Sequence, residues 1–339
     1  MSTRRFDHID LLRAIGIIGV IMTHVYSYHL DSRSHFLIWN YLHFVVVAFV
    51  FCSGYVMAAR YEIDFRNLPH LLAWYRKRVL RLVIPFYIYL AFHYILMIVA
   101  PMGFNGLGLK TTVPFLLQSI TLTGGIDLNW LPLLFVQLTI LYPFVRYSLK
   151  HRPLRILITA FTIGGAALFT IIPFPREHYR WVMWIPWLFF IILADSFYQR
   201  EQKGVSVRRY LIALATGAAL FAALTLSWPA LHRSYTLTDN KYPPDLLYLS
   251  YATAMTFLTL SLIHTPLFQV SALKRVLQYI SRQSYQLFFI HYILIDLMLH
   301  FPALPQEPFI QTLIVIPASL GVSYAADMVW TGIRGRNAV

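Results

Sequence analysis

The sequence predicts an all-α polytopic membrane fold of about ten transmembrane helices, with both termini cytoplasmic. Three observations carry that prediction. Hydrophobic residues make up 58% of the 339 and charged residues only 12%, more apolar surface than a globular core of this length uses. Apolar windows of about 20 residues, enough to cross a bilayer core as helix, recur along the chain. Basic residues also alternate in density between successive connections, as the positive-inside rule requires.

The windows run 9 to 28, 36 to 59, 80 to 100, 130 to 147, 155 to 174, 181 to 198, 209 to 229, 245 to 265, 282 to 300 and 308 to 328. The stretch VPFLLQSITLT at 113 to 123 is apolar but too short to cross, which predicts a re-entrant or interfacial piece beside the fourth span; an eleventh span is the alternative. With the N-terminus inside, inner segments hold 21 Lys and Arg residues and outer ones only 6, namely Arg33, Lys110, Arg176, Arg180, Arg233 and Lys241, while Arg13 lies within the first span. The formal charge of +14 is therefore a topology signal rather than a nucleic-acid footprint. The basic start MSTRRFDH runs into an apolar stretch with no small-residue cleavage pattern, so the first span reads as retained. Asp10 is placed to cap the first helix, Pro85 to bend the third, and Pro243 and Pro244 to precede the eighth. The single cysteine, Cys52, reads as a buried hydrophobe and offers no cysteine zinc site, and no metal is expected. Without repeats or long polar linkers, residues 1–339 read as one integral-membrane domain with no separate soluble domain, so any chemistry falls to the helices and short loops.

Ionisable groups cost about 2.5 to 3.5 kcal/mol at a bilayer centre and are site candidates by default. They are Arg13, His24, His43, His93, His291 and Asp296. In LLRAIGIIGVIMTH, Arg13 and His24 are eleven positions apart, roughly three turns with about 20° left over and roughly 16 Å of rise. They share one helical face and would line a wall from one membrane surface toward the middle. Snorkelling to the inner rim is the competing account of Arg13, and a neutral histidine satisfied by a neighbouring helix is that of His24, and more so of His43, His93 and His291. Arg78 and Arg81 in WYRKRVLRLVIPFY are i, i+3 neighbours, suited either to anchoring at lipid headgroups or to phosphates of a nucleotide-like carrier.

Taken together, IDLLRAIGIIGVIMTH, FVFCSGYVMAAR, RKRVLRLVIPFY, NWLPLLFVQLTILYPF, YPPDLLYLSYA and SRQSYQLFFIH resemble, in order, the motifs of the acyltransferase 3 family. These are integral membrane O-acyltransferases that include O-acetyltransferases of bacterial surface polysaccharides. The resemblance implies acyl-CoA, acetyl-CoA above others, as co-substrate with no tightly bound cofactor, and a glycan or glycolipid hydroxyl as acceptor, in a multi-pass protein of the inner membrane. It puts His24 and Arg13 in the catalytic role and Arg78, Arg81 and Arg13 at the CoA phosphates. Ser53, Gly54 and Asp10 are implied as oxyanion or supporting groups, and Trp130, Asp127 and Asn129 as acceptor contacts. Direct transfer and an acyl-histidine intermediate both stay open, as does partnership with a second copy or with polysaccharide-synthesis machinery. An exporter of a surface polysaccharide or lipid-linked intermediate is the rival reading, disfavoured because no broken-helix pair or repeated half is visible.

Overall fold

The computed structural model describes residues 6–60, 65, 67–99, 108–301 and 303–336, with side chains as far as Met328. In chain order the helices are α1 (Asp7–Tyr26), α2 (Arg33–Tyr41), α3 (Val45–Arg60), α4 (Leu68–Val99), α5 (Val113–Ile120), α6 (Trp130–Lys150), α7 (Arg152–Ile171), α8 (Tyr179–Val182), α9 (Trp184–Glu201), α10 (Val207–Ser227), α11 (Leu246–Ile263), α12 (Pro266–Gln269), α13 (Ser271–His300) and α14 (Pro308–Arg336). Among the described residues, 8 helical stretches are long and apolar enough to cross a membrane, or 9 if the bent pair 176–182 and 184–201 is one span. The predicted span 282 to 300 lies in α13, whose 30 residues reach about 45 Å, long enough to cross a bilayer but more polar than the other spans. The segment at 113 to 123 holds only the short α5, tied to α4 where the Tyr87 hydroxyl donates to the Ile120 carbonyl at 2.8 Å.

Two local expectations are corrected. Helix α1 starts at Asp7 with Phe6 at its N-cap and no side-chain cap, so Asp10 is a first-turn residue inside the helix rather than the cap. Helix α4 starts at Leu68, not 80, so the basic segment around Arg78 and Arg81 is its first half, and helix continues on both sides of Pro85. The turn before α11 does end in a cap: the Asp245 carboxylate accepts from the Tyr248 amide at 2.9 Å, the arrangement that satisfies a free N-terminal donor.

The burial pattern explains the composition. Only 11% of the apolar window of α10 is buried, and 22% of those of α4 and α7, against 67% for α1 and α11 and 72% for the α2–α3 stretch. Apolar faces that large have no stable place in water and belong against lipid. Helix α1 occupies the middle, packed on α3, α11, α13 and α14. Its glycines permit this: a Cβ on Gly19 would lie 2.5 Å from Val45 Cγ1, so any larger residue would push α3 away.

Candidate active site

Helices α1 and α13 run parallel, and their pairing sets the register of the site. At one end Gln278 donates to the Asp7 carboxylate at 2.9 Å and Ser281 to Asp10 at 3.3 Å, while Lys274 pairs with Asp7 at 2.5 Å. At the other end the His24 ring lies 5.2 Å from that of His291 and 4.6 Å from that of Tyr292, centroid to centroid. On its other side α13 meets α14, where Gln283 and Gln286 donate to Asp327. A helix with polar partners on two flanks cannot also be uniformly apolar, which is why α13 is the least hydrophobic of the predicted spans.

Because α1 is unbroken from Asp7 to Tyr26, Arg13 and His24 do share a face, roughly 16 Å apart along the axis. Arg13 keeps a quarter of its side chain exposed and sits 3.7 Å from the Asp10 carboxylate. His24 is half-buried, and its ring nitrogens make no hydrogen bond among the described residues. The helix ends two residues after His24, which places this ring in the last turn, about 26 Å from the start of α1 and past the middle of the bundle rather than at it. Between the two, on the same face, Ile17 and Val20 are 0% and 2% exposed. The wall is thus open at both ends and closed by aliphatic side chains between.

The connection 234–245 folds over the His24 end. The Leu237 amide donates to Asn40 Oδ1 at 2.7 Å, Thr238 Oγ1 and His43 Nε2 are 2.8 Å apart, and the Tyr248 hydroxyl donates to the His43 carbonyl at 2.9 Å. His43 is therefore a satisfied bracket, as is His93, which contacts the Tyr89 hydroxyl at 3.0 Å and Asp296 at 3.2 Å. His291 departs from that pattern. Its Nδ1 bonds the Leu287 carbonyl at 2.8 Å, but its Nε2 is buried without a hydrogen-bond partner, facing the same neighbourhood as His24.

The same connection delivers Lys241, which the sequence offers only as an outer-loop charge. It is 4% exposed, with Nζ 4.8 Å from the Trp130 ring centroid and 4.9 Å from that of Tyr242. Burial pulls its pKa down to about 7. Lys241 is close enough to His24 for its charge to act on that ring. Trp130 lies against Lys241, while its expected companions Asn129 and Asp127 adjoin Arg180. Asn129 is fully buried as a brace, its amide donating to the Gly124 carbonyl at 2.7 Å and its Oδ1 accepting from Arg180 at 2.5 Å. The Asp127 side chain stands fully in the open, 4.0 Å from Arg180.

At the opposite end Arg78 reaches inward, its guanidinium donating to Ser53 Oγ at 2.8 Å and to Thr139 Oγ1 at 3.3 Å. Arg81 stays exposed. Nearby, Glu201 accepts from the hydroxyls of Tyr55 and Tyr210 at 2.5 and 2.6 Å and lies 3.2 Å from His8, gathering the ends of α1, α3, α9 and α10. Ser53 and Gly54, implied as oxyanion groups, lie at this end rather than at the His24 end. Cys52 contacts the Ile9 carbonyl at 3.5 Å, so Ser53 stands level with residue 9, roughly 22 Å from His24 along α1. Gly54 lies inside α3 with its amide committed to the helix; a Cβ there would meet Ala194 Cβ at 3.0 Å, so its role is close packing against α9.

A family model described as an acyltransferase domain matches residues 6–328, nearly the whole chain. No curated protein matches, and no solved structure does.

Proposed function

The chain belongs to this acyltransferase family, and we propose that it moves an acyl group, acetyl above others, from cytoplasmic acyl-CoA to a hydroxyl of a cell-surface or exported glycan or glycolipid, as a multi-pass protein of the inner membrane. The observation that carries the reading is the shared face of Arg13 and His24 on one unbroken helix, with a partly exposed cation at the basic end and, at the other, an imidazole that makes no hydrogen bond among the described residues.

Guanidiniums suit phosphates because their fork offers paired donors. Arg81, exposed at the basic end, and Arg13 are the groups to receive the phosphates of CoA, while Arg78 is held inward by Ser53 and Thr139. The pantetheine arm then passes along the α1–α13 seam, displacing the Ile17 and Val20 contacts, and presents its thioester at His24. There the imidazole takes the proton of the acceptor hydroxyl as oxygen attacks the carbonyl carbon, and returns it to the departing thiol; such acid–base help contributes about 10²–10⁴-fold. The position of His24 in the last turn of α1 suits an acceptor that arrives from the far side and need not enter deeply.

Mass spectrometry of surface glycans from a strain lacking the gene tests the reading against export. Polymer of normal length missing only its ester groups is expected. Polymer that is absent or retained inside the cell would overturn the enzyme assignment.

A further inference from the structure

Lys241 has an ammonium with no anion to serve. It is nearly fully buried, no carboxylate acts on it among the described residues, and the faces of Trp130 and Tyr242 lie against its Nζ. Isolated burial of such a charge is costly, and two cation–π contacts offset that cost only in part. Nor is its position accidental. The loop that carries it is fastened by Asn40 and His43 on the α2–α3 side and by the Asp245 cap on α11, so the side chain is held inward, within electrostatic reach of His24, rather than released to the surface where a lysine would otherwise go. A fixed cation whose charge reaches the proposed base is suited to charge that exists only while the reaction proceeds.

We propose that Lys241 is a catalytic residue that stabilises the oxyanion of the tetrahedral intermediate formed at His24, an inference that rests on the acyl-transfer reading above. The hydroxyl oxygen bonds to the thioester carbon and its proton passes to His24. The carbonyl π pair moves onto oxygen, giving an alkoxide that lies against the Lys241 ammonium. As the carbonyl re-forms, the C–S bond breaks and the CoA sulfur leaves with the proton from His24. Trp130 and Tyr242 hold the ammonium in place. This assigns the oxyanion role to the His24 end of the bundle, where Ser53 and Gly54 are not.

The test uses the full-length protein in lipid nanodiscs with acetyl-CoA and water as the acceptor, following release of the CoA thiol. Lys241→Met keeps the volume and apolar contacts of the side chain, and Lys241→Arg keeps the charge. Release by Lys241→Met is expected to fall about 10²-fold or more, with the loss in kcat and not in KM for acetyl-CoA, and Lys241→Arg is expected to recover part of it. An unchanged rate in a Lys241→Met protein that elutes as the wild type does would overturn the assignment while leaving the acyl-transfer reading intact. A loss seen with a carbohydrate acceptor but not with water would also overturn it, placing Lys241 at an acidic group of the acceptor instead. No thiol release by the wild type would remove the acyl-CoA reading and this inference with it.

Discussion

The rings of His24 and His291 lie 5.2 Å apart across the seam between α1 and α13, joining two helices that enter the bundle side by side and are separated by more than 240 residues of chain. His291 is pinned through Nδ1 to the Leu287 carbonyl, so it forms a rigid backing for the half-buried ring of His24. If it positions that ring, His291→Phe should lower kcat for acetyl transfer by about 10-fold to 10²-fold, the scale of a misplaced reacting group, and leave KM for acetyl-CoA unmoved. Equal effects on both constants would instead mark a general loss of structure.

The buried pair Ile17 and Val20 closes the wall between Arg13 and His24. A donor arm that uses this seam must part these side chains, so bulk added there should obstruct it. Val20→Trp is expected to lower kcat/KM for acetyl-CoA at least 10-fold, whereas Val20→Ala should not. Wild-type turnover by a folded Val20→Trp protein would put the route elsewhere.

Arg78 and Arg81 are neighbours on α4 with different duties. Arg81 is exposed and Arg78 bonds Ser53 and Thr139 inside the bundle. Arg81→Ala should raise KM for acetyl-CoA several-fold at unchanged kcat, with the difference shrinking at high salt as screening sets in. Arg78→Ala should instead lower thermal stability, because it leaves the hydroxyls of half-buried Ser53 and buried Thr139 without this donor.

Much of this was legible in the sequence, and the exceptions have physical causes. Apolar run length and basic asymmetry located the helices because lipid forces backbone hydrogen bonds to close within each span. The facing of Arg13 and His24 followed from helical period alone. What periodicity could not supply is which helices touch. His291 therefore looked like any other satisfied membrane histidine, and Ser53 looked available to a ring that lies some fifteen residues of rise away. Lys241 and Arg180 counted as ordinary outer-loop charges because a sequence shows no difference between a lysine in solvent and one folded under Trp130 and Tyr242. The helix start was misread at Asp10 because Asp7 and Asp10 are equally acceptable first-turn acids.

Lys241 also gives the reaction a pH signature. Its pKa, lowered by burial to about 7, means that the ammonium is present below that pH and lost as pH rises through it, so turnover should decline on the alkaline side of about 7. His24, His43 and Tyr242 are the other titratable groups near it. In Lys241→Arg the guanidinium stays protonated throughout, and the alkaline decline should move up by a unit or more. A decline that stays in place would assign it to one of those neighbours.

Transfer of radiolabelled acetyl from acetyl-CoA into surface glycan, compared between wild type and His24→Ala at equal membrane levels, addresses the imidazole at the end of α1 directly. The expected result is a loss of about 10²–10⁴-fold in His24→Ala. Wild-type labelling by that variant would contradict the role given to His24 and the passage argued to lead to it.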